Sequence, residues 1–388
     1  MSIAEDADLV VGADTHRDTR TAAICDFRGR VLSQLQASAT PDGYASLLDW
    51  ASAAAAGQRL AWAIEGTRHY GLGLVRHLAS AGRQVAGIDG TRHVGKRRAG
   101  KSDPIDAVRA ARELLARPRP GQLRADGDRE ALRLLMTDRD NAVQPGKTAR
   151  TVLTSVIVTA PAGLREELRH LPAERRARAC AALACPGGAD RLTRVTYQTL
   201  TRLGQRIAAL AAVAAGIEAQ IAEIVEEMAP GLVTAEPGLG VLSAAQILLS
   251  WSHAGRIRSE QAFAMLSGTA PVPVSSGRTD RHRLSDRQPN RALHVIAVSR
   301  MRHHPPTLAY VQRRRAEGKT DKEIRRCIKR YLARHLYRAL TRFERLAVSD
   351  QHQRLPRVDL PGLMRVGRLW LRVLWRGLTG HQRFMPPA

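Results

Sequence analysis

Four carboxylates, Asp14, Glu65, Asp103 and Asp106, carry the spacing in this chain with the most chemical content. Asp14 closes the apolar run at residues 9–13 and Glu65 closes a second at 60–64, so each stands at the end of an expected strand. Asp103 and Asp106 lie three apart where a helix is expected to begin, on one helical face. Unpaired carboxylates repel one another unless a cation sits between them. Magnesium takes such hard oxygen ligands, and two such ions can stabilise both the attacking and leaving oxygens of a phosphodiester. Each residue also has a structural alternative. Asp103 before Pro104 suits an N-cap with proline at the first helical position, and Asp106 then falls near the positive end of the helix dipole. Asp14 alone reads as a turn residue and Glu65 as a surface carboxylate. The joint pattern favours metal.

Other constellations are weaker. Ser275-Ser276-Gly277 is ordinary flexible-loop chemistry on its own, and nothing local separates the two serines. Cys180 and Cys185 lack a second ligand pair, which argues against zinc. Arg313, Arg314 and Arg315, with Arg325, Arg326, Lys329 and Arg330, fall on expected helices and suit a nucleic-acid backbone groove. Aromatic residues make up 4% of the chain, too few for a base-stacking platform.

The elements that must position these groups follow from periodicity. Residues 9–14, 21–27 and 30–37 read as strands, with a turn at Arg28-Gly29. A helix at 44–55, a strand at 60–65, a helix at 70–80, a strand at 84–89 and a helix at 104–115 follow. Three antiparallel strands followed by alternating helix and strand suggest a ribonuclease-H-like α/β domain over 7–117. There the ends of the first and fourth strands are neighbours, so the four carboxylates can converge. Arg117-Pro118-Arg119-Pro120-Gly121 reads as a boundary. Residues 126–230 read as a long helical or coiled-coil middle, with Leu200, Leu203, Ile207, Leu210, Val213, Ile217, Ile221, Ile224 and Met228 in a three-four rhythm. An ordinary bundle helix fits that rhythm equally. Pro145-Gly146 predicts an interruption of the helix that contains it. Residues 231–346 form a smaller, mostly helical unit, and 347–388 a basic tail with no clear period.

Composition bounds the function. A chain of 388 residues with 44% hydrophobic content supports two or three domains with real cores. Of 61 basic residues 55 are arginine, a bias that base composition alone could produce. The distribution is more telling. Residues 281–388 carry 26 basic and 7 acidic groups, whereas 1–120 carry 17 and 13. A charge concentrated in the last third points to phosphate. The longest uninterrupted apolar run, 207–217, is too short to span a bilayer, and the acidic start does not resemble a secretory signal. Four scattered cysteines make no disulfide framework. A soluble, cytoplasmic protein without a membrane partner is the expectation.

A resemblance enters on particular segments. GADTHRD (12–18), AIEGTRHYGLGLVRHL (63–78), GKSDPIDAVRAAR (100–112), APVPVSSG (270–277) and the basic run at 290–334 are similar to the DEDD transposases of bacterial insertion sequences. Glu236-Pro237-Gly238-Leu239-Gly240 resembles the same family, with a PGxG turn of the helix-hairpin-helix kind that can offer backbone N–H groups to phosphate. The resemblance implies a RuvC-like N-terminal domain (7–117), a helical middle and a serine-bearing C-terminal transposase domain (231–346). It implies Asp14, Glu65, Asp103 and Asp106 as Mg²⁺ ligands, and Ser276 as a nucleophile forming a phosphoserine link to DNA. DNA ends and target, a structured guide RNA, and a homodimer or homotetramer are the partners it implies. Two other readings compete: a non-catalytic nucleic-acid-binding relic, and an actin-like or sugar-kinase ATPase, for which Gly71-Leu72-Gly73 is the thin phosphate-loop candidate.

Overall fold

The computed structural model describes residues 7–67, 69–88, 102–117, 123–124, 126–253, 255–271 and 287–354, with side chains described as far as 343. The chain divides into two compact units, 1–127 and 128–388.

The first unit is built on a five-stranded sheet. In chain order its elements are β1 (Leu9–Thr15), β2 (Thr19–Asp26), β3 (Val31–Ser38), α1 (Pro41–Ala55), β4 (Leu60–Glu65), α2 (Leu72–Ser80), β5 (Gln84–Ile88) and α3 (Asp103–Ala116). The strands lie in the order β3-β2-β1-β4-β5, with β2 antiparallel to β1 and β3, and with β4 parallel to β1 and β5. Helix crossovers are what parallel neighbours require, and α1 and α2 supply them. One face of the sheet packs Ile24, Trp62 and Ile64 against Leu47 and Ala51 of α1 and Leu74 and Leu78 of α2. The other packs Val10, Ala61 and Ile88 against Ala107, Ala110, Ala111 and Leu114 of α3. Covered on both faces, β1 is buried along its whole length, whereas the edge strand β3 alternates between partly buried and exposed. This mixed sheet with helices on both faces is consistent with the ribonuclease-H-like arrangement.

The second unit is helical: α4 (Asp128–Val158), α5 (Ala162–Arg169), α6 (Ala173–Ala181), α7 (Arg191–Met228), α8 (Leu232–Ala235), α9 (Val241–Trp251), α10 (Glu260–Leu266), α11 (Arg287–His303), α12 (Pro305–Ala316) and α13 (Asp321–Arg354). The break predicted at Pro145-Gly146 does not occur, and α4 runs straight through it. Proline removes one N–H and so one hydrogen bond. The packing of α4 along α7 outweighs that loss, with Gly146 buried near Leu210. By length and composition α7 could cross a membrane, more than the short uninterrupted run suggested. Its stripe Leu200, Ile207, Ile217, Ile221 and Val225 is instead buried against protein. One core joins Leu132 of α4 and Ile217–Val225 of α7 to Trp251, Phe263, Ile296, Ile328 and Leu340, so α4, α7 and the later helices share it. A second, around Leu153, Leu168 and Leu200, packs α5 and α6 onto α4 and α7.

Candidate active site

The register of the sheet brings two carboxylate-bearing strand ends together. Ala13 of β1 pairs with Ile64 of β4, so Asp14 and Glu65 follow side by side, and the Thr15 hydroxyl donates to the Glu65 carbonyl at 2.9 Å. Gly12 lets α3 cross directly over β1. A Cβ there would stand 2.0 Å from the Ala107 carbonyl oxygen, a distance no packing tolerates. The start of α3 is thereby delivered to the end of β1.

Three ligand atoms meet at that point. Atoms of Asp14, His16 and Asp103 all lie within 4.8 Å of one another. His16 Nε2 is 3.2 Å from Asp14 Oδ2 and 3.1 Å from Asp103 Oδ1. Neither Asp14 Oδ2 nor His16 Nε2 has a hydrogen bond, although both atoms are buried. The other Asp14 oxygen accepts from the Thr15 amide at 2.8 Å. Burial pushes the Asp14 carboxyl above its ordinary pKa, with the charges of Asp106 and Asp103 adding to the rise and His16 and the Thr15 amide opposing it. A buried carboxylate oxygen left without a donor, facing a second carboxylate and an imidazole nitrogen, fits a divalent cation. Imidazole also widens the choice beyond the all-oxygen preference of magnesium, toward manganese and softer ions.

The remaining acids take different places. Asp106 sits one turn along α3 and is ion-paired with Arg109. Glu65 adjoins through its backbone, but its carboxylate is not one of the three. The N-cap reading of Asp103 is corrected: the cap position falls on Ser102, and the Asp103 carboxylate lies against His16. His16 is the member that the sequence reading missed. The signal was present, because Asp14 and His16 two apart in extended chain share one face. Arg20, buried on β2, fixes the turn that carries His16. Its guanidinium donates to the carbonyls of His16, Thr19 and Tyr70, tying the turn after β1 to the turn after β4.

In the second unit the Glu236–Gly240 turn joins α8 to α9, with Gly238 at φ +77°. Glu236 is buried and accepts from Arg300 Nη2 at 2.9 Å and from His335 Nε2 at 2.6 Å. Arg300 Nε also donates to the Pro237 carbonyl at 2.6 Å, so α11 and α13 brace the turn.

Both regions match known protein families. A transposase family model of the DEDD, IS110 type matches residues 11–158, which contain the acidic centre. A second, described as transposase of the IS116/IS110/IS902 family, matches residues 231–312, which contain the braced turn. This chain belongs to the IS110 family of transposases. A search of curated proteins returns no match. Membership in the IS110 family implies DNA as a partner and use of a divalent metal, and leaves the ATPase reading without support.

Elsewhere in the transposase, the basic residues singled out from the sequence differ in their partners. Arg315 is held by Asp321 through two bonds of 2.8 and 3.0 Å, and Arg314 pairs with Glu317. Arg313 stacks over Tyr310, 5.5 Å from the ring centre, and reaches Glu317 only at 4.0 Å. Arg326, Lys329 and Arg330 of α13 line a cavity that Arg314 also lines, and Arg325 adjoins them on the same helix. Ser275 and Ser276 lie outside the described residues, as do 355–388 of the basic tail.

Proposed function

We propose that this IS110-family transposase cuts and rejoins DNA strands in a magnesium-dependent reaction, with Ser276 as the nucleophile. The observation that supports it best is the buried, donor-less Asp14 Oδ2 facing His16 and Asp103 at the strand end. Asp14, Asp103 and His16 would hold the metal, with Glu65 and Asp106 as the neighbouring acids of the set. Bound there, magnesium would neutralise charge that develops on a phosphodiester as it is cut. The Ser276 hydroxyl would form an Oγ–P bond as the bond from phosphorus to the leaving strand breaks, with the departing oxygen taking up a proton. The phosphoserine link retains the energy of the broken bond, so rejoining needs no ATP. Arg20 holds the His16 turn in place while this happens. A structured guide RNA and assembly into dimers or tetramers complete the proposal.

Trapping on a DNA substrate with an interrupted strand tests it, in magnesium and with the element's own RNA. Wild type should yield a protein–DNA adduct that survives denaturant. Asp14→Asn and Ser276→Ala should each lose both cleavage and adduct, whereas Ser275→Ala should keep at least part. Cleavage by Ser276→Ala without any adduct would make water the nucleophile and overturn the serine assignment.

A further inference from the structure

The cavity lined by Arg326, Lys329 and Arg330 measures about 850 Å³, and its remaining walls are informative. Thr269 to Pro271 close one side, and Asn290 another. Pro271 is the last described residue before the stretch 272–286 that contains Ser276, and Asn290 stands on the first turn after it. Described residues that flank the stretch on either side therefore line this cavity.

Its polar groups are arranged for an anion. Asn290 Nδ2 donates to the carbonyls of Ser267 at 2.7 Å and Gly268 at 3.2 Å, which leaves Oδ1 to accept from Lys329 Nζ at 2.6 Å. The two carbonyls fix which way the amide points, and the amide in turn fixes the ammonium. Lys329 has no carboxylate partner among the described residues. Burial and the adjacent Arg325 and Arg326 push its pKa down. Arg330 keeps a buried Nη1 with no acceptor. The one carboxylate in the walls, Glu323, is taken by the amide and hydroxyl of Thr320. Crowded, partly buried cations facing neutral acceptors are costly until an anion arrives. Lys329 and Arg330 each stand one turn of α13 from Arg326, about 5–6 Å between Cβ atoms. Cations at two levels one turn apart suit neighbouring groups of a polyanion better than a single ion.

We infer that this cavity is a phosphodiester-binding site that takes the backbone of a DNA strand beside Pro271 and Asn290, with Lys329 and Arg330 contacting phosphate oxygens. The fate of that strand rests on the function proposed above; its binding does not.

Fluorescence anisotropy of the full chain with a labelled single-stranded DNA oligonucleotide, titrated across a salt series, tests the site. Lys329→Gln and Arg330→Gln should each weaken binding about tenfold. Each should also lower the slope of log affinity against log salt by about 0.7, the loss of one phosphate contact on a single strand. Lys329→Arg should retain both affinity and slope. Circular dichroism and melting temperature show whether each variant is folded, and Arg326→Gln with Arg330→Gln carry the test if Lys329→Gln is not. Folded variants with wild-type affinity and slope would overturn the proposal. Loss of binding to an RNA oligonucleotide of the same sequence, with DNA binding intact, would overturn it as a DNA site. Strand cleavage measured on the same preparations separates the two readings. A wild type that binds through Lys329 but never cuts in magnesium supports the cavity and overturns the cleavage mechanism.

Discussion

Asp14 is 7% exposed, and one of its oxygens has a donor while the other has none. Burial raises its pKa, so the charged form opposes folding. For a carboxyl shifted upward, the stabilising contribution is complete below the ordinary carboxylate range and lost as pH rises through the raised value. Asp14→Asn should therefore melt higher than wild type in chelator at neutral pH, and the gap should close toward acid. Wild type melting higher at neutral pH would show that the imidazole of His16 already compensates the charge. His16 has its own consequence. If its Nε2 is a ligand, His16→Ala should weaken Mn²⁺ binding at least about 10–100-fold, the range seen even for groups one step removed from a metal. Calorimetry reads the affinity, and loss of nitrogen coupling in the Mn²⁺ spin-echo spectrum reads the ligand itself. Unchanged affinity and no nitrogen coupling in wild type would leave His16 as a cation substitute in the metal-free site.

At the scale of elements, the site depends on how closely α3 approaches β1. Gly12→Ala would set a Cβ 2.0 Å from the Ala107 carbonyl oxygen and 2.5 Å from the Ala111 amide nitrogen, both backbone atoms that cannot turn aside. The helix must retreat, at a cost of about 1–3 kcal/mol or more for overpacking. Asp103 retreats with it. Thermal melting and Mn²⁺ affinity should fall together in this variant, and loss of stability with unchanged affinity would separate helix docking from the metal centre. β1 and β4 were legible in the sequence because buried strands read as apolar runs, and β4 ends at Glu65 as its run predicted. What the sequence hid was decided by partners far along the chain. Asp103 looked like a cap because Pro104 follows it, yet its carboxylate lies against His16, from a strand about ninety residues earlier. Pro145 looked like a break because its local cost is real, but α7 supplies the packing that holds α4 together. Arg315 carries a partner the local run does not reveal, because Asp321 lies six residues on, at the start of the next helix.

At the scale of the whole molecule, the two compact units divide the chemistry. Residues 1–127 hold the acidic centre with their own cores on both faces of the sheet, and carry 18 basic and 14 acidic groups. Residues 128–388 carry 43 basic and 22 acidic groups, with separate cores of their own. Cores built from a unit's own described residues allow it to fold alone. Residues 1–127 produced by themselves should give a cooperative melt with mixed helix and strand dichroism, and should bind Mn²⁺ as the full chain does. Residues 128–388 should keep most of the strand affinity and nearly the whole salt slope, because the slope counts phosphate contacts and the net positive charge is concentrated there. The slope is the more discriminating measurement, since affinity also reflects rigidity and assembly, whereas counterion release depends on contacts alone. A full-length slope much steeper than that of 128–388 would place phosphate contacts on the sheet unit as well, and the division of labour would then fail even with both halves folded.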